Sequence, residues 1–196
     1  MKTLFSTLVA TAAIAAATAG GAAAQSTVTQ AELINNLQGL GAHSTVLNVD
    51  QLRRDVTVKI SQEASEDVVN RNQYLDYFAN LPNFSVEILF DFDSAIIKPD
   101  SYEILGAMAD ALHHPVLLGD QFLIVGHTDA KGKREYNLEL SQRRADSIRN
   151  ALTTVFNVDP ARIQAFGLGE EQLKDPNNPD GAVNRRVQLL NLGPIP

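Results

Sequence analysis

Phe122-Leu123-Ile124-Val125-Gly126-His127-Thr128-Asp129, followed at fixed distance by Tyr136-Asn137, Leu140-Ser141 and Arg144-Ala145, is the stretch on which the reading of this chain turns. Its first four residues are all apolar, as expected of a strand buried on both faces. The strand ends in a loop that carries one carboxylate, Asp129. The second half has the helical period. Ser141, Ala145, Ile148 and Leu152 recur at spacings of three and four and form the apolar stripe of a helix over about residues 135–156. At about 100° per residue, Asn137 and Arg144 fall on one flank of that stripe, whereas Arg143 points nearly opposite it, into solvent. A loop carboxylate and a helix guanidinium, held apart but close, suit a zwitterion. Asp129 would take the ammonium, and the Arg144 fork would take the carboxylate through two parallel bonds. Each residue alone has a plainer reading. A boundary arginine can run its stem past the core to water, and a turn aspartate can bond its own backbone.

Working outward, Val86-Glu87-Ile88-Leu89-Phe90 predicts a strand. Pro99-Asp100-Ser101 opens a helix with Tyr102, Leu105, Met108, Ala109 and Leu112 inward. Ile163 to Phe166 and Arg186 to Asn191 predict two more strands. Between them, residues 167–182 hold Gly, Pro and Asn and read as an irregular loop. Strands alternating with helices, closed by a strand pair, give an α+β two-layer sandwich with a mixed sheet and helices on one face.

Upstream of residue 84 the signals weaken. Thr29 caps a short helix carrying Leu33, Ile34, Leu37 and Leu40, closed by Gly39 and Gly41. Val56, Val58 and Ile60 alternate as a short strand, and Val68, Val69, Leu75 and Phe78 line a second helix that ends before Pro82. These roughly 60 residues make a marginal core on their own. They are too few for a membrane barrel, which needs at least about eight strands of ~9–11 residues. The expected organisation is therefore a signal peptide over 1–24, a small N-terminal region of unknown function over 25–84, and a domain over 85–192.

Met1-Lys2 is a short basic start, Leu4 to Ala19 is an uncharged run rich in Ala and Thr, and Gly20-Gly21 precede Ala22-Ala23-Ala24. This is the layout of a secretory signal cleaved before Gln25, which marks the protein for export. The formal net charge is −7, and removing the single cation of that segment, Lys2, takes it to −8. Nucleic-acid binding, which runs on clustered Lys and Arg, does not fit. The chain has no Cys, so neither disulfides nor thiolate metal sites enter. His127 and Asp129 lie two apart, but His43, His113 and His114 form no ligand pattern with them, and neither a metal nor a cofactor is expected. Glu170-Glu171 lack an acid–base partner at a recognisable spacing, and Ser141 lacks a nucleophile elbow. The sequence reads as a binding module and not an enzyme.

Residues 85–192 resemble the OmpA-like peptidoglycan-binding domain of the OmpA, MotB and Pal proteins. The resemblance runs through Phe90-Asp91-Phe92-Asp93-Ser94-Ala95, Gly126-His127-Thr128-Asp129 with Gly132, Tyr136-Asn137, Leu140-Ser141 and Arg143-Arg144-Ala145. It continues through Arg162-Ile163, Gly167-Leu168-Gly169-Glu170 and Asn184-Arg185-Arg186-Val187. It implies a βαβαββ fold that binds the peptide stem of peptidoglycan without covalent attachment, through the free end of meso-diaminopimelate. It also implies that Asp129 meets the ammonium and Arg144 the carboxylate. Asn137, Thr128 and the backbone around Phe92, Asp93 and Ser94 would line the same pocket, with Asn184-Arg185-Arg186 bracing the loops. The N-terminal half resembles neither the OmpA barrel nor a lipidated or transmembrane anchor. The expected role is to tether the outer membrane or an envelope complex to the wall, with outer-membrane or envelope proteins met by residues 25–84. The alternatives are a cell-wall-modifying enzyme, or an accessory of a secretion or stator complex that uses the domain only for targeting. If the export reading holds, protein recovered from the periplasm should show an intact mass that begins at or near Gln25; a mass retaining Met1 to Ala24 would turn the segment into an anchor.

Overall fold

The computed structural model describes residues 28–38, 51, 52, 54, 78, 80–91 and 93–195. The signal segment, Gly39, Leu40 and Gly41, the Val56–Ile60 strand, and Val68, Val69 and Leu75 of the second N-terminal helix lie outside the described residues. The first helix, α1, spans Gln30–Leu37. Thr29 caps it: its Oγ1 accepts from the Glu32 amide at 3.3 Å, and Glu32 Oε2 accepts from the Thr29 amide at 3.1 Å. This reciprocal box satisfies two amides that a helix start leaves without partners.

Six further elements follow. They are β1 (Asn83–Val86), α2 (Tyr102–Leu112), β2 (Asp120–His127), α3 (Arg134–Thr154), β3 (Ile163–Gly169) and β4 (Val187–Pro194). The sheet order is β1-β4-β2-β3, with β4 antiparallel to both of its neighbours and β2 parallel to β3. The βαβαββ order and the mixed sheet agree with the sequence reading. One sheet face, through Phe122, Ile124, Ile163, Ala165, Val187 and Leu189, packs on α1, α2 and α3. The other, through Leu123, Val125, Phe166, Leu168 and Leu190, is covered by Leu52, Phe78 and Leu81 from the N-terminal region. The unbroken apolar run of β2 is thereby explained, since it is covered on both sides.

Three elements depart from expectation. The first strand ends at Val86 rather than Phe90, because Val86 pairs with Val187, where β4 begins, and the ladder has no partner beyond it. Phe90 instead bridges Ile97 across a tight loop, where the Asp91 amide donates to the Ile96 carbonyl and the Lys98 amide to the Leu89 carbonyl. Tyr102 was expected inward but is 40% exposed. At that end of the helix Ser101 turns in, its Oγ accepting from the Leu89 amide at 2.8 Å. Residues 167–169, expected within the irregular loop, extend β3.

Helix α3 lies directly on β2 and β3. A Cβ on Gly126 would sit 2.5 Å from the Ser141 carbonyl oxygen, and one on Gly167 would sit 2.3 Å from the Gln142 nitrogen. Side chains of the helix then complete the strand's hydrogen bonding. Ser141 Oγ accepts from the Gly169 amide at 2.8 Å, and Gln142 Oε1 accepts from the Gly167 amide at 2.9 Å. On the opposite side of the sheet's connections, Arg162 is buried and donates to the carbonyls of Leu112, Leu117 and Asp120 at 3.0, 2.5 and 3.0 Å, tying the end of α2 to the start of β2.

This seam yields a matched pair of expectations in urea unfolding. Gly167→Ala should lower stability by about 1–3 kcal/mol or more, because the new methyl meets backbone that cannot yield without moving α3. Gly106→Ala, inside α2 with its nearest prospective neighbour at 3.6 Å, should instead raise stability by about 0.5–1 kcal/mol through helix propensity. Equal effects of the two substitutions would refute the close-packed seam.

Candidate functional site

The loop after β2 is held in place by its backbone. The Thr128 amide donates to the Gly169 carbonyl at 2.9 Å and the Ala130 amide to the Pro179 carbonyl at 3.0 Å. This presents Asp129, which is 8% exposed. Its Oδ1 accepts from the Lys131 amide at 3.3 Å, and its Oδ2 forms an ion pair with Arg185 Nη1 at 2.7 Å. Thr128 is buried, and its Oγ1 has no partner among the described residues.

From the first half of α3, buried Asn137 reaches back to the same loop. Its Nδ2 lies 3.2 Å from the Asp129 carbonyl oxygen, 3.0 Å from that of Lys131 and 2.5 Å from Glu170 Oε2. Its amide nitrogen thus clamps the loop to the helix and to the end of β3. Two turns on, Arg144 is half-buried, with its guanidinium 4.8 Å from the centre of the Phe90 ring. Its Nε donates to the Ser94 carbonyl at 3.0 Å. Burial lowers the Arg144 pKa from the ordinary arginine value, and Arg185 adds to that effect. Tyr136, Asp129 and Asp93 oppose it. The four named groups therefore share one electrostatic neighbourhood with Arg144.

Asp93 adopts a positive φ of 52°, in the left-handed region that Asp tolerates better than most side chains. Its Oδ1 accepts a hydrogen bond from Tyr136 Oη, which raises the tyrosine pKa above its ordinary value. Ser94 offers its carbonyl to Arg144, while its Oγ accepts from the Ile96 amide at 3.0 Å. Phe92 lies outside the described residues. Arg143 is exposed and pairs with Glu139 at 3.0 Å one turn back, on the solvent side that the helical wheel assigns it.

Two features escaped the sequence. One is Arg185 on Asp129. Asn184-Arg185-Arg186 is visible as a motif, but it begins inside a 3-10 turn over Ala182–Asn184, so no simple period tells which side chain turns where. In the structure Asn184 is fully buried. Its Nδ2 donates to the carbonyls of Asn178 and Pro179 at 2.9 and 3.0 Å, and its Oδ1 accepts from the Asp175 amide at 2.9 Å, closing the loop on itself. The other is the Arg134–Glu171 pair, bonded at 2.5 and 2.6 Å, which fastens the start of α3 to the residues after β3.

These elements define a βαβαββ domain whose loop carboxylate and helix guanidinium are set by the docking of one helix on two parallel strands. The OmpA family profile matches residues 89–186, and the chain belongs to the OmpA family. Over 113 residues it is 37% identical to outer membrane porin F of Pseudomonas fluorescens, covering 56% of this chain and 33% of that protein. Over 102 residues it is 34% identical to the peptidoglycan-associated lipoprotein of Pseudomonas putida, covering 51% of this chain and 59% of that one. Among solved structures, the peptidoglycan-associated lipoprotein from Burkholderia pseudomallei aligns with 34% identity and a TM-score of 0.45, over 55% of this chain and 88% of that chain. The alignments therefore span only 33% and 59% of the lengths of these two sequence relatives. Among the described residues no helix is long and apolar enough to cross a membrane.

His127 closes β2 as a buried neutral imidazole. Its Nε2 lies 2.7 Å from Gln188 Oε1, and burial, with Arg186 nearby, pulls its pKa from 6.5 to about 3. The unfolded chain binds the proton more readily, so this site's stabilisation is complete above pH 6.5 and is lost as pH falls toward 3. Between pH 7.5 and 5.5 the site should remove about 1 kcal/mol from the unfolding free energy. Urea midpoints across that interval should move less in His127→Gln than in the native chain; identical pH slopes would show that His127 is not the titrating group.

Proposed function

We propose that this domain binds peptidoglycan without covalent attachment, gripping the free end of meso-diaminopimelate between Asp129 and Arg144. The carrying observation is the state of Arg144. It is half-buried, its Nε is engaged by the Ser94 carbonyl, and Nη1 and Nη2 have no hydrogen-bond partner among the described residues. A guanidinium so placed has two parallel donors to offer a carboxylate. Asp129 supplies the opposite charge within electrostatic reach. The ligand ammonium joins Asp129 beside Arg185 or displaces it from Oδ2. Asn137 and Glu170 hold the loop, and Thr128 brings next to Asp129 a hydroxyl that has no partner among the described residues.

The protein acts by holding, not by turnover. It works in the periplasm after removal of residues 1–24 and tethers the outer membrane or an envelope complex to the wall. Relatives named as an outer membrane porin and a peptidoglycan-associated lipoprotein support this reading. Residues 25–84 supply the contact to envelope proteins, and 85–192 supply the wall contact.

Sedimentation with insoluble sacculi of the diaminopimelate type tests the site. Asp129→Ala and Arg144→Ala should each abolish cosedimentation with unchanged circular dichroism, since leaving one ligand charge unpaired typically costs ~2–5 kcal/mol. Arg143→Ala should cosediment like the native protein. A stem peptide carrying meso-diaminopimelate should compete, and the matching peptide with lysine in its place, whose free end has an ammonium but no carboxylate on the same carbon, should not. Retention of both alanine variants on sacculi would remove the assignment.

A further inference from the structure

Beside the site, the edge strand β1 and the segment between β3 and β4 flank a cavity of about 200 Å³. At about 30 Å³ per water, it has room for a group of roughly six water-sized units. Its lining includes three cations, Lys174, Arg185 and Arg186, against one carboxylate, Glu87, with Ser85 beside them. Arg186 is the member that needs explaining. It is 9% exposed, and its one side-chain hydrogen bond among the described residues runs from Nη1 to the Gln172 carbonyl at 3.1 Å. No described carboxylate forms an ion pair with it. Arg162 shows how this fold satisfies a buried guanidinium that is purely structural, with three carbonyls. Arg186 has one, and burial pulls its pKa down to about 10. A buried cation without a counter-charge is costly, and an anion drawn from solution relieves the cost.

We infer that this cavity is a second ligand site, which takes a carboxylate-bearing group between the forks of Arg186 and Arg185, with Lys174 adding a third positive charge. Two planar forks favour a planar oxyanion that accepts paired bonds. Glu87 is exposed, has no ion pair among the described residues, and opposes the ligand. Its presence keeps the site weak, and its removal provides a test by gain. Arg185 also pairs with Asp129 through Nη1, so the two sites share one residue, and the readouts separate them: the probe is a small soluble anion followed at Arg186 and does not involve the wall.

The experiment is a ¹⁵N titration of the purified protein with sodium succinate, at ionic strength held constant with sodium chloride. Saturable shifts should appear at Arg186 Nε and at the backbone amides of 85–87 and 174. Lys174→Ala should weaken the apparent affinity by about threefold to fivefold, and Glu87→Gln should tighten it by a similar factor, the size expected of one exposed charge. Both substitutions are at exposed positions, so they keep the test open even if Arg186→Ala fails to fold. Absence of saturation, indifference to Glu87→Gln, or tighter binding of inorganic phosphate at the same signals would each overturn a carboxylate site.

Discussion

The absence of a Cβ at Gly126 and Gly167 is the constraint on which the rest of this domain depends. It lets α3 settle so close to β2 and β3 that Ser141 and Gln142 accept directly from strand amides. A helix held by side chain–backbone bonds at two neighbouring positions is fixed in height and in rotation. Asn137 stands one turn before Ser141, and Arg144 less than one turn after it. The same seam therefore aims Asn137 at the β2 loop and Arg144 at the Ser94 carbonyl. The groups of the candidate site come from three separated segments, and the docking of one helix sets their relative positions.

Three arginines in this fold meet burial in three ways, and the differences carry meaning. Arg162 is saturated by carbonyls and acts as a brace. Arg144 keeps one carbonyl and an aromatic face, and its two terminal nitrogens have no hydrogen-bond partner among the described residues. Arg186 is the most deeply desolvated relative to its partners, and it faces a cavity that two other cations share. Around them the acids are placed to hold loops: Glu170 on Asn137, Glu171 on Arg134, Asp93 on Tyr136. A net-negative chain can in this way concentrate positive charge locally, where binding of an anionic group needs it, without a long-range field that attracts polyanions.

Much of this was legible in the sequence because it was written in local periods. The apolar run Phe122–Val125, the stripe through Ser141, Ala145 and Ile148, and the Thr29 cap each report on their own element, and each stands where the sequence put it. The flank of Arg144 and the solvent side of Arg143 followed from the same geometry. Other features depended on partners far away in sequence. The first strand stops at Val86 only because β4 starts at Val187, more than 100 residues later. The second face of the sheet is covered by Leu52, Phe78 and Leu81, whose apolar character alone does not say where they pack. Arg185 reaches Asp129 across 56 residues after an irregular loop that has no period to follow. Side-chain pairings between loops remain the least readable part of a sequence, and the candidate site is built largely from them.

The central claim is that Arg144 reads a carboxylate while Asp129 reads the ammonium on the same carbon. Side-chain ¹⁵N spectra of Arg144, recorded during titration with meso-diaminopimelate and separately with its amidated form, address this most directly. The account predicts that the Arg144 Nη signals shift and sharpen with the free acid and stay in place with the amide. Equal responses to the two compounds, or no response to either while binding is saturated, would contradict it.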